Sequence, residues 1–485
     1  MDKKKLILLT SGAIIITLVA IAITFFALRK SNKAYLNALP QDALALARLD
    51  VKTLLDEAKL TKEETAEILQ RYSLPEGNAT DIGLDLARPV YGFAAKDGNF
   101  GLLAAVADAD DFTAWCEGMA AKGRASAVTR QRGYSWVVVE EKWLMAFDDD
   151  KAVAMGPAVG AAQDQLRTVI AQLMQQGNDE SALGTELYKL LDTKDEPLVA
   201  AVKPELLPKD VLGAMRSINL KSSAQGLYRL TIEPDDNELE VDVDIVSDDE
   251  EVKTELKKLN ALMRPIDGRL TDNVHANNAL WLAFNTKGEE LLKLLRSNAS
   301  VRTTLLTLNL VVDVDRMIEA IDGDVALEVT SVQATPESDN VRLNFDFKDA
   351  RLTAQVANTD FLSGASSWGN SFIGVKALSP TEYVVNIEPT PIHFGVKDKT
   401  FYIGSERGLV TEGNAYLREQ RSDIQGARLY ATLNLSSIPL EPISILSKIY
   451  PDLNRLDVKM KEAGEFSFTL KASENTNILR SLLKL

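Results

Sequence analysis

One pattern is written twice in this chain. Asp42-Ala-Leu-Ala-Leu-Ala-Arg-Leu49 alternates as a strand should and leads into Val51-Lys-Thr-Leu-Leu-Asp-Glu-Ala58, which is spaced as a helix. Asn278-Ala-Leu-Trp-Leu-Ala-Phe284 leads in the same way into Lys287-Gly-Glu-Glu-Leu-Leu-Lys-Leu-Leu295. Self-similarity at an offset of roughly 230 to 250 residues constrains architecture before any local propensity does. Further matches follow in order. Leu102–Val106 runs to Asp108 and an acidic, amphipathic segment, and Leu352–Val356 runs to Asn358 and another; both polar residues sit where a helix N-cap accepts from free backbone amides. Hairpin-like runs at 135–139, 143–147 and 152–155 are answered at 383–387, 392–396 and 401–403. Strands at 197–202, 227–232 and 239–245 are answered at 428–433, 456–460 and 465–470. Each copy finishes in a helix, 252–263 and 478–485. The fold class expected is α+β: two tandem, similar domains over 35–268 and 269–485, each a mainly antiparallel sheet with helices on one face, joined near Arg264–Gly268 where Pro265 and Gly268 stop the helix.

The other strong feature lies ahead of both copies. Leu6 to Leu28 carries no charge and is flanked by Lys3-Lys4-Lys5 and Arg29-Lys30. As a helix it would be about 34 Å long against about 30 Å of bilayer hydrocarbon, so residues 1–5 read as a tail, 6–28 as a transmembrane anchor and 29–34 as a linker. The run is longer than the apolar part of a cleaved signal peptide, and Cys116 is the only cysteine, so there is none beside the run for lipoprotein anchoring. The expectation is a single-pass protein of the cytoplasmic (inner) membrane with a periplasmic ectodomain, the membrane being a partner through Leu6 to Leu28. With 70 acidic against 54 basic residues the chain carries −16, which repels nucleic acid. A 46% apolar content gives the ectodomain enough to bury a core, so disorder is not indicated.

No recognisable catalytic constellation emerges. Glu238, Glu240, Asp242 and Asp244 alternate with Leu239, Val241, Val243 and Ile245, which reads as one solvated and one buried strand face rather than a metal site. Asp148–Asp150 reads as a hairpin turn. His275 and His393 have no second histidine or cysteine at ligand spacing, and Cys116 reads as a core residue within an amphipathic helix. Gly364–Gly369 lacks the spacing of a nucleophile elbow; Ser338–Asn340 and Ser481–Lys484 match isolated fragments of penicillin-recognising enzymes without the rest of the set. Phosphate-loop and dinucleotide fingerprints are absent from the sequence. No catalytic, cofactor-binding or metal-ligating residue is nominated, and no cofactor is expected.

Leu39-Pro40-Gln-Asp42 and the strand and helix that follow, through Asp50-Val-Lys52-Thr-Leu-Leu55, resemble the start of an uncharacterised family of exported Bacteroidetes cell-envelope proteins, domain of unknown function 4836. The similarity extends over the ectodomain, although members of that family are mostly lipoproteins and this chain has no cysteine at the anchor. The resemblance implies an envelope location and supplies no active-site residues. The reading is therefore a membrane-anchored envelope protein with a non-catalytic binding or scaffolding ectodomain for a protein or envelope ligand. The competing class is an envelope hydrolase with carboxylates dispersed in sequence, which would be recognised by two convergent carboxylates of perturbed pKa in a cleft.

Overall fold

Short alternating runs separated by turns bearing glycine or aspartate fold as strands throughout. The computed structural model describes residues 34–71, 82–193, 196–207, 209, 212–213, 215, 220–336, 343–368, 374–386, 390–437 and 453–483. The first strands among them are β1 (Ala45–Leu49), β2 (Leu84–Asp85), β3 (Val90–Ala94), β4 (Phe100–Val106), β5 (Thr129–Gln131), β6 (Tyr134–Val139), β7 (Trp143–Phe147), β8 (Lys151–Gly156), β9 (Leu198–Val202), β10 (Leu227–Asp235) and β11 (Glu238–Val246). They continue with β12 (Met263–Arg264), β13 (Leu280–Lys287), β14 (Ile321–Pro336), β15 (Leu343–Val356), β16 (Val375–Ser379), β17 (Glu382–Val385), β18 (Ile392–Lys397), β19 (Thr400–Gly404), β20 (Leu429–Asn434), β21 (Leu453–Glu462) and β22 (Glu465–Ala472).

Two compact units divide the chain. Met1–Pro208, Leu227–Asp242 and Glu474–Leu485 make the first; Lys209–Gly226 and Val243–Ser473 make the second. The expectation of two tandem α+β domains with separate sheets is corrected: the 22 strands of the described residues belong to one large antiparallel sheet, with helices added to it. The division between units falls inside β11, between Asp242 and Val243, and not at the expected join near Arg264–Gly268. The expected N-terminal transmembrane helix, and the single-pass inner-membrane placement resting on it, are corrected as well. No helix among the described residues is long and apolar enough to cross a membrane, and Leu6–Leu28 lies outside the described residues. The longest described helix, Ala161–Gln175, has 15 residues and is two-faced, burying Leu166, Ile170, Leu173 and Met174 while exposing Asp164.

Taken separately, the units have the same strand order. In the first it is β5-β6-β7-β8-β4-β3-β1-β9-β10, with β2 also on β4. In the second it is β16-β17-β18-β19-β15-β14-β13-β20-β21-β22, with β12 on β13. β1 and β13 each lead into a helix, Val51–Ala58 and Gly288–Ser297. Asp108 caps the helix Ala109–Ala121 by accepting from the amides of Asp110 and Asp111 at 2.9 and 3.0 Å, and Asn358 accepts from the amide of Asp360 at 3.0 Å, at the start of a 3-10 helix.

The first unit's sheet carries helices on both faces. Val51, Leu54, Phe112, Cys116 and Met119 pack with Leu49, Val90, Ala104 and Val106 on one face. On the other, Leu46, Phe93, Leu103, Val199 and Ala201 are buried, and the helices Ala161–Gln175 and Glu186–Leu191 lie along β7, β8, β1 and β9. Residues 474–485 complete this unit: Leu479 joins the first core, Asn477 Nδ2 donates to the Glu57 carbonyl at 2.7 Å, and Arg480 pairs with Glu64 at 2.7 Å. In the second unit Ile266, Leu270, Val274, Leu417 and Ile424 cover Trp281, Ala283 and Ala326, while Phe361, Leu362 and Ala365 pack on Val356 and Phe401 across the other face.

Candidate functional site

Register decides what each face presents. In the first unit one cross-strand row reads Leu102, Gly92, Ala47, Ala200, and the next reads Phe100, Ala94, Ala45, Val202. Side chains two apart along a strand share a face, so these rows lie beside Leu49 and Leu198 but beyond the cover of the helices. Five of the eight positions are alanine or glycine, and the result is a trough of about 340 Å³. Every side chain lining it is apolar. Phe100 and Leu206 form its rim at 37% and 41% exposure, and the buried Trp143 indole, which also covers Gly156, closes one end. Gly92 is here through room rather than strain: a Cβ built on it would meet the nearest atoms, Ala47 Cβ and Leu102 Cδ2, at 3.8 Å.

The second unit fills the same place. The row equivalent to Leu102, Gly92, Ala47, Ala200 is Leu352, Leu327, Leu282, Ala431, and the next is Ala350, Val329, Leu280, Leu433. On its opposite face the second unit buries polar groups where the first buries hydrocarbon. Glu328 and Arg351 stand cross-strand at the positions that Phe93 and Gly101 hold in the first unit. Gly101 is required there, since a Cβ would lie 2.0 Å from the Phe93 ring.

These buried polar groups form three clusters. Asp324, 1% exposed, accepts from the amides of Asp267 and Gly268 at 3.0 and 2.9 Å and from Asn285 Nδ2 at 2.7 Å. Burial, reinforced by the neighbouring Asp267, pushes its pKa up to about 6, whereas Asp267, despite burial, is held below the ordinary carboxylate range by Asp324, the Arg269 amide and Gln355. In the second cluster His275 has a carboxylate at each ring nitrogen: Nδ1 is 3.1 Å from Glu328 and Nε2 is 3.2 Å from Glu406. Burial works against a charged ring, but the two carboxylates outweigh it and raise the pKa. Arg351, lowered by burial, donates to the Gly408 carbonyl, so both residues fasten the segment that follows β19. In the third, Tyr416 bonds to Asp457, with Lys471 3.8 Å from that carboxylate and the Arg455 guanidinium over the Tyr416 ring at 3.9 Å.

The residues weighed in sequence fall out as follows. His275 lies in the second cluster; His393 is half-buried in β18. Cys116 is fully buried, and burial pushes its thiol up to about 12, away from nucleophilic use. Asp148 accepts from the amides of Asp150 and Lys151 at 2.9 Å, as a hairpin turn requires. Glu238, Glu240, Asp242 and Asp244 are half-buried along with their apolar neighbours, so β11 has no plainly solvated face. Ser338–Asn340, Lys484 and Gly369 lie outside the described residues. Among the described residues no group of three or more His, Cys, Asp or Glu is placed to hold a metal ion. The trough residues were not singled out in sequence, although Ala45 and Ala47, in an alternating strand, and Gly92 are small where strands of this kind carry branched side chains.

Residues 35–432 match the family model described as a domain of unknown function, DUF4836. The chain belongs to that family. All of the trough lies inside the matched region. No curated protein matches the chain. Solved structures of TP0453 in crystal forms I, III and IV are similar at 12%, 12% and 13% identity, with TM-scores of 0.29, 0.28 and 0.27. They cover 48%, 48% and 43% of this chain and 89%, 90% and 79% of theirs. Likeness that distant transfers nothing to this chain.

Proposed function

We propose that this DUF4836 protein is a non-catalytic binding module whose site is the trough of the first unit and whose ligand is a small apolar molecule. One observation carries the reading: a concavity of about 340 Å³, within the size range of ligand sites, is lined by apolar side chains alone on a sheet face whose counterpart in the second unit is filled. A catalytic reading would draw on Asp267 and Asp324, which do converge and whose pKa values are pushed apart. Their oxygens are spent on the amides of Asp267, Gly268 and Arg269 and on Asn285 and Gln355, which is the work of holding a turn.

The test is binding of a polarity-sensitive naphthalene sulfonate dye to the folded protein. The wild type should enhance its fluorescence at one site per chain. Ala47→Leu and Ala200→Leu, which fill the floor as the second unit does at Leu282, should each abolish the signal with the melting temperature kept within a few degrees. Enhancement that survives both variants would remove the trough as the site.

A further inference from the structure

The shape of the trough says more than its polarity. Its lining spans β9, β1, β3 and β4, three interstrand steps, or about 14 Å across the sheet, and only two residue rows, or about 7 Å along the strands. Leu49 and Leu198 wall the side toward the helices, Trp143 closes the β4 end, and the row of Val202, Ala45, Ala94 and Phe100 lies along the open margin of the sheet. The floor between them is Ala47, Gly92 and Ala200, with no branched side chain raised into the channel. A four-ring aromatic plate such as pyrene needs breadth that two rows do not offer. A flexible single file of methylenes needs only length. Apart from the Trp143 indole at one end, no described side chain that lines the channel can hydrogen-bond, so a polar group of the ligand is best left outside the margin, beyond the exposed Phe100 and Leu206.

The geometry points to an unbranched alkyl chain, lying across the strands from β9 to β4, as the ligand; this rests on the trough being the binding site. An extended chain advances about 1.2 Å per bond, so about 14 Å accommodates about twelve carbons. Each methylene that leaves water for such a channel tightens binding about fourfold. Among the described residues of the second unit, Leu282 and Leu327 occupy the equivalent row, where Ala47 and Gly92 leave the channel in the first.

The experiment is displacement of the naphthalene sulfonate dye by straight-chain carboxylates from octanoate to hexadecanoate, below their aggregation concentrations, with pyrene carboxylate as the broad four-ring control. Affinity should rise about fourfold per added methylene and level off near dodecanoate. Ala47→Leu and Ala200→Leu should lose that rise while keeping the wild-type circular dichroism. Gly92→Ala, which meets only ordinary contacts at 3.8 Å, should fold normally and move the plateau to a shorter chain. If the dye binds and the leucine variants block it, but affinity ignores chain length or pyrene carboxylate competes as well as dodecanoate, the alkyl-chain assignment falls and the trough stands. If the dye signal survives both leucine variants, the trough itself is wrong and the assignment falls with it.

Discussion

The two units solve one topology with opposite interiors. Where the first places Ala47, Gly92 and Phe93-on-Gly101, the second places Leu282, Leu327 and Glu328-beside-Arg351. On one face the small side chains of the first unit leave a vacancy that the second fills with leucine. On the other face hydrocarbon in the first unit gives way to a hydrogen-bonded acidic and basic network in the second. Strand order is therefore set by backbone pairing and turn placement, while what a face does is set by side-chain volume and polarity at fixed register positions.

The sharpest way to break this contrast is to empty the filled unit. Leu282→Ala should cost about 2 kcal/mol, low in the range for buried leucine because Leu282 is only half-buried, and dye titration should show a second, weaker site. A single site in that variant would mean the vacancy of the first unit depends on more than its floor. A smaller effect tests the likeness instead. Asp108→Ala removes the acceptor of two backbone amides and should cost about 1 kcal/mol; Asn358→Ala removes the acceptor of one and should cost less, both read by denaturant unfolding.

The smallest effect lies in pH. A carboxylate beside each ring nitrogen favours the imidazolium, and the pKa of His275 is raised in the fold. The folded state holds the proton more tightly than the unfolded chain, so the added stability is complete below the ordinary histidine value near 6.5 and is lost as pH rises through the raised one. Wild type should fall in stability across that window relative to His275→Gln. Tryptic cleavage at the exposed Arg407, in the segment held by Glu406 and the Gly408 carbonyl, should quicken in the same window. Identical pH profiles for the two proteins would show that His275 is not charged in this fold.

Strand positions were legible in sequence because alternation and turn residues are local. The recurring strand order was legible for the same reason, with Asp108 at a helix cap, whereas Asn358 stands one residue ahead of the cap at Thr359. Faces were not. Setting Asp42 against Asn278 puts Ala47 opposite Ala283, yet tracing register from Leu102 and Leu352 puts it opposite Leu282, and a slip of one residue exchanges the two faces of a strand. The trough vanishes from view in that slip, since alanine then stands against alanine. The buried polar clusters were hidden differently: Asp324 and Glu328 alternate with Val325 and Val329 as on any solvated strand, and only the return of residues 266–274 and 415–424 over that face takes them from water. A single sheet was likewise unreadable, because a strand shared by two units looks in sequence like any other.

The C-terminal segment of the first unit has a consequence for how that unit is made. Its strands leave the ribosome early, but Asn477, Leu479 and Arg480, which seal its core beside Glu57 and Glu64, emerge only after residues 243–473 have been synthesised. The trough is thus assembled on a unit that stays open on one flank for roughly half the time of translation, at about 5–20 residues per second. A chain cut short before Asn477 would lack Leu479 and Arg480 and leave the core around Val51 and Leu54 less covered, and so more open to proteases and chaperones.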